Sequence, residues 1–222
     1  MLALRNKNCA KLIKYITKKV EMLGYTITLA KPLKMSEMKW MGYFDEASKS
    51  IMCYKVAGYG WISVLAHEFR HLEQCAANIK VWREFQDAHA KTPIMELIFK
   101  PHFNKRIHFN PKYSQRDIIS FIDKWAAMER DCEVKTIKLL KEFKIPVDLV
   151  NYAKEVNLFL YRCEYLKYHN VWPSFYTKNK KTKYRIYSKA LSLCADKIIP
   201  KPKSIPDELE VIFEKLIRER DQ

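Results

Sequence analysis

The sequence predicts an α+β, mostly helical fold, with a small antiparallel or mixed sheet near the N-terminus, a histidine-bearing helix behind it and a helical bundle toward the C-terminus. Three observations lead there. Apolar residues recur at helical spacing through most of the chain. Runs of strand length rich in β-branched and aromatic residues are confined to residues 25–56. Only four glycines occur among 222 residues, too few for a repeat-built or loop-rich protein. At 48% hydrophobic the chain can bury a sizeable core, and its length suits a single domain. Its expected parts are residues 1–78 (helix, small sheet and histidine helix), 79–172 (helical) and 173–222 (a basic extension).

In order, residues 6–23 read as an amphipathic helix, with Leu12, Ile13, Ile16, Val20 and Leu23 at helical spacing and Gly24 as the stop. Tyr25–Leu29 reads as a short strand. Residues 39–44 and 50–56 flank Asp45–Lys49 as a hairpin. After the histidine helix, residues 76–90 continue as helix, and 91–113 with three prolines read as a loop that rims a cleft. Ser114 caps a long helix, with Asp117 three residues on, running to about Lys144. A second long helix spans about Val147–Tyr168 and is closed by Trp172-Pro173. Pro200, Pro202 and Pro206 make a stiff linker before a last helix at 207–221.

No apolar run approaches the ~18 residues of a membrane helix, and the N-terminus lacks the order of a signal peptide. The expected location is a cytoplasm. Six scattered cysteines, with no CxxC pair, then read as core thiols. The formal charge of +16 points to an acidic partner or to lysine-rich solvated faces.

The chemistry sits in His67-Glu68-Phe69-Arg70-His71. Two histidines four apart on a helix project from one face, one turn apart, so both imidazoles can reach one metal ion. Glu68 lies beside that ion, where its carboxylate can take a proton from an activated water. Chance supplies about 0.01 matches to HExxH in a sequence of this kind. Ile62, Leu65, Phe69, Leu72 and Ala76 form the apolar stripe of the helix, and the histidines lie off it. The bland alternative is a surface helix with two solvated histidines.

A zinc site needs a third protein ligand. On the 114–144 helix Glu129 and Glu133 fall on the same line as Ile122, Ala126, Ile137 and Leu140. Burying an ionised carboxylate without a partner costs several kcal/mol. A metal for Glu129 and an imidazole N–H for Glu133 satisfy both, with Glu133 orienting one histidine through its other ring nitrogen. Asp131 is expected to point elsewhere and Cys132 to be core. A rotated helix would instead pair the glutamates with Arg130 or Lys135.

HExxH followed by Glu129-x-x-x-Glu133 on a later helix resembles the gluzincin metallopeptidases, where the distal acid is usually Asp. The stretch from Glu129-Arg-Asp-Cys-Glu133 through Tyr152, Asn157, Tyr161 and Trp172, with the hairpin Gly42-Tyr-Phe-Asp45 ahead of the histidine helix, is also similar to HExxH proteins of tailed bacteriophages with no agreed substrate, a likeness that covers about residues 36–173. The resemblance implies a zincin-like fold with Zn2+ on His67, His71 and Glu129, and Glu68 as general base. It further implies a phage-encoded zinc metallopeptidase acting on a protein or peptide in the host cytoplasm. Tyr161, Tyr165, Tyr168, His169 and His108 are candidate donors to a tetrahedral oxyanion.

A second function class comes from the tail. From Lys167 to Lys203 there are ten Lys or Arg residues and one acid, interleaved with six aromatic residues. That mixture suits a nucleic-acid strand, or else a solvated basic face packed on its aromatic side. The alternative to an enzyme is therefore a nucleic-acid-binding or host-factor-binding protein whose zinc site is structural or vestigial.

Overall fold

The structure, a computed structural model, describes residues 6–31, 41–55, 58–94, 112–173, 175 and 180–218. Within them it is α+β and mostly helical, with seven helices and one three-stranded mixed sheet. No helix among them is long and apolar enough to cross a membrane. The chain divides into two compact units, residues 1–82 with 131–148, and residues 83–130 with 149–222.

In the first unit, helix α1 (Lys7–Met22) starts where the Asn6 side chain accepts hydrogen bonds from the backbone N–H groups of Asn8 and Cys9. It buries Cys9, Leu12, Ile16 and Val20, and ends at Gly24, whose φ of +77° admits the reversal. Strand β1 (Thr26–Ala30) follows, then β2 (Gly42–Asp45) and β3 (Ser50–Tyr54). The sheet order is β1-β3-β2. β3 is central, parallel to β1 and antiparallel to β2, with Gly42 opposite Cys53 and Asp45 opposite Ser50. The turn between β2 and β3 is closed by the Asp45 carboxylate, which accepts from Ala47 N and Ser48 Oγ.

Helix α2 (Gly60–Ala76) carries the HExxH stretch. Ile62, Leu65, Phe69 and Leu72 are fully buried, as their spacing requires, whereas Ala76 is exposed because the helix ends there. Trp61, Ala66, Glu68, His71 and Gln74 are buried too, so α2 is covered well beyond one stripe. Phe69 meets Tyr15 of α1 edge-on at 6.0 Å. Phe44 of β2 lies between Tyr25 and Trp82, 5.7 and 5.9 Å from their ring centres. β2 runs so close to α2 that a Cβ at Gly42 would stand 2.7 Å from Val64 Cγ1 and 2.9 Å from the Met52 carbonyl.

Helix α3 (Lys80–Lys91) follows a break at Asn78, which has φ +45°. Helix α4 (Gln115–Glu142) opens with a reciprocal cap: Ser114 Oγ accepts from Asp117 N, and the Asp117 carboxylate accepts from Ser114 N. Its residues up to 130 belong to the second unit and the rest to the first. The expected 91–113 loop lies mostly outside the described residues.

The second unit contains α5 (Leu149–His169), α6 (Lys180–Ser192) and α7 (Asp207–Arg218). A core of Leu158, Tyr165, Phe175, Ala190, Leu209, Phe213 and their neighbours joins the three. Buried Asn157 pins the proline-rich connection before α7. Its Nδ2 donates to the carbonyls of Ala195 and Lys197, and its Oδ1 accepts from Ile199 N. Residues 173–222 thus carry a helix, α6, where the sequence reading placed only a basic stretch. Its core-facing line of half-buried Ile186 and Tyr187 and buried Ala190 and Leu191 has helical spacing that the surrounding cations obscure.

Gly42→Ala forces the added methyl against a backbone carbonyl and a packed valine. The expected loss is about 1–3 kcal/mol of stability, read as a lower urea midpoint, and an unchanged midpoint would contradict the close approach of β2 to α2.

Candidate metal centre

His67 and His71 sit one turn apart on α2, with ring centroids 4.5 Å apart and planes perpendicular. Their Nε2 atoms face each other at 2.9 Å. What fixes the rings is at their other ends. Glu133 Oε1 of α4 lies 3.1 Å from His67 Nδ1. Gln74 Oε1 lies 2.9 Å from His71 Nδ1. The Gln74 amide has one orientation, because its Nε2 donates to Asp131 Oδ2 at 2.8 Å, and a carboxylate can only accept. Asp131 is held in turn by Lys135.

The tautomers follow from those partners. A carboxylate oxygen at one Nδ1 and an amide oxygen at the other both require an N–H. In the neutral rings each Nε2 is then left with a lone pair, and the two lone pairs point at each other. A cation between them relieves the repulsion of those lone pairs. A proton does this if one ring becomes an imidazolium. A metal ion does it with both rings neutral, and a hydrogen-bonded remote nitrogen is the usual setting of a metal-ligating histidine. The electrostatics favour positive charge here. Burial alone lowers the pKa of His67, but Cys132 and Glu133 beside it more than reverse this and hold it well above the ordinary range. Two imidazole nitrogens with carboxylate and thiol neighbours form a donor set that suits Zn2+.

Cys132 is buried and its Sγ is 3.5 Å from His67 Nδ1, while its S–H donates to the His67 carbonyl at 3.2 Å. His67, His71 and Cys132 each offer a ligand atom, all within 4.8 Å of one another. Glu129, the third ligand expected from the resemblance, lies in the second unit, and its Oε1 accepts from the Trp125 indole N–H at 3.1 Å. Glu68 is buried, and its Cγ would be 3.3 Å from a Cβ at Gly42. Its charge adds to burial in pushing the Cys53 thiol up to about 12. Arg70 pairs with Glu73 on the flank of α2.

Of the candidate oxyanion donors, Tyr165 stacks on His169 at 4.0 Å and His169 Nε2 is 3.6 Å from Glu210. Tyr161 packs against the core of the second unit and Tyr168 is 69% exposed. His108 lies outside the described residues.

The structure thus brings together His67, His71 and Glu133, and adds Gln74, Asp131 and Cys132. Gln74 was legible as the residue that continues the 67–71 face at helical spacing. Asp131, expected to point elsewhere, reaches the site because Cys132 faces α2 directly and its two neighbours flank it, so both longer side chains reach round. Lys135 pairs with Asp131 rather than with a glutamate. No family model, curated protein or solved structure matches the chain at a significant level.

Gln74→Leu removes the acceptor at His71 Nδ1 while leaving both ligand nitrogens in place. Zinc affinity, measured by competition with a chromophoric chelator, is expected to fall about 10–100-fold. An unaltered affinity would show that the amide does not set the ring.

Proposed function

We propose that the chain is a zinc-dependent peptidase in which His67 and His71 hold the metal through Nε2 and Glu68 is the general base. The observation that carries this reading is the pair of converging Nε2 atoms, with both Nδ1 atoms engaged by side-chain oxygens. For the third protein ligand we favour Glu129 over Cys132. Glu129 stands one turn before Glu133 on the same helix. Cys132 approaches His67 at the Nδ1 end that Glu133 occupies, and its S–H is turned to a carbonyl.

Zinc held there supplies a Lewis acid that polarises a carbonyl and acidifies water. The chain's own residues do the rest. Glu133 and Gln74 keep the rings in register. The Glu68 carboxylate takes the proton from the attacking water and returns it to the leaving amine nitrogen. Glu68 lies beneath Gly42, the first residue of β2, which among the described residues pairs on one side only. An extended peptide added along the outer edge of β2 through main-chain hydrogen bonds runs past that carboxylate. This combination of edge strand, HExxH helix and later acid-bearing helix supports a zincin-like reading, and it favours a polypeptide substrate over a small molecule. The resemblance to phage proteins points to a viral setting.

The test is cleavage of a labelled unfolded protein, with and without chelator. Glu68→Gln should retain one zinc per chain and lose about 10²–10⁴-fold in turnover. Glu129→Ala should lose the metal, whereas Cys132→Ala should keep it. Wild-type turnover in Glu68→Gln would end the peptidase mechanism, and metal retained in Glu129→Ala but lost in Cys132→Ala would reassign the third ligand.

A further inference from the structure

We propose that the outer face of α6 is a binding surface for single-stranded nucleic acid, separate from the metal centre. The helix is Lys180–Ser192, and its sequence carries Lys180, Lys181, Lys183, Arg185 and Lys189 with no acid. Its inner face is fixed. Ile186, Tyr187, Ala190 and Leu191 pack into the core formed with α5 and α7, and Phe175 meets Tyr187 edge-on at 5.2 Å. That packing turns Tyr184, Arg185, Ser188 and Lys189 outward, and all four are exposed. Tyr184 is 75% exposed.

Arg185 and Lys189 are exposed cations four apart, so they lie in one row along the helix with a rise of about 6 Å between them. Like charges at that spacing repel and weaken a helix by about 0.2–0.5 kcal/mol per pair. The neighbouring helix α7 shows the opposite pattern, with Asp207, Glu208 and Glu210 in its first turn and Lys215 and Arg218 in its last. A row of cations that destabilises the free helix is relieved by a row of anions. Phosphates along an extended strand supply such a row. Tyr184 lies in the adjacent row and offers a base a flat ring to stack on.

An anionic membrane or an acidic protein would also meet the cations, and the test below separates them. A duplex keeps its bases stacked and leaves the ring idle. An unpaired strand engages the cations through its phosphates and the ring through a base, which favours it over a duplex.

The test uses the full chain and a fluorescent oligothymidylate, read by anisotropy over a series of salt concentrations. Three variants are compared with wild type: Tyr184→Ala, Arg185→Ala with Lys189→Ala, and a charge-matched control, Lys11→Ala with Lys18→Ala on α1. All five positions are exposed, so the fold is expected to survive, and a thermal melt confirms it. Tyr184→Ala should weaken binding about tenfold with an unchanged salt slope. The Arg185/Lys189 pair should flatten the slope of log K against log salt by roughly 1.4, two phosphate contacts' worth on a single strand. The α1 control should leave both quantities near wild type. Equal losses in the α1 control, indifference to Tyr184, or equal affinity for duplex, polyglutamate or anionic vesicles would overturn the proposal.

Discussion

The arrangement depends on one contact, the approach of two imidazole Nε2 atoms to 2.9 Å. Left to themselves, two neutral rings one turn apart on a helix would swing away from each other. They are prevented by oxygens on the far side, from Glu133 for one ring and Gln74 for the other. Those oxygens also decide which nitrogen carries hydrogen, and so aim two lone pairs at a single point. The hydrogen bonds of the outer partners therefore shape a place that a cation could fill. Asp131 and Lys135 extend the same logic by one step, since they hold the amide that holds the ring.

A second constraint ties the sheet to the same helix. β2 passes α2 where only glycine fits, and the side chain beneath that glycine is Glu68. Close approach and candidate base are thus one feature. Any side chain at residue 42 both strains the packing and fills the space above the carboxylate. The buried Cys53 thiol on the central strand registers the charge of Glu68 nearby.

Much of the fold was legible because its signals are local. Helix periods, the Gly24 stop, the Ser114–Asp117 cap and the Asp45 turn each depend on residues a few positions apart. The histidine pair was legible for the same reason. Other features depended on how elements meet. The parallel pairing of β1 with β3 joins residues far apart in sequence, and no pattern within either strand encodes it. Asp131 was set aside on helical geometry that holds for one helix alone, and a facing helix with a buried cysteine between two acids changes the answer. Helix α6 was hidden by composition: five cations among its thirteen residues made a core-packed helix read as a tail. Asn157 was singled out only as part of the resemblance; its role in holding the 195–199 connection with three hydrogen bonds was not legible, because a polar residue within a helix reads as surface until its partners are known.

The central claim is that one cation sits between two neutral imidazoles, and X-ray absorption at the zinc edge of the metal-loaded chain examines it most directly. The account expects two imidazole nitrogens at about 2.0–2.1 Å with oxygen completing the shell and no sulfur near 2.3 Å. A shell with one imidazole or none, or a chain that retains no zinc at neutral pH, would contradict it.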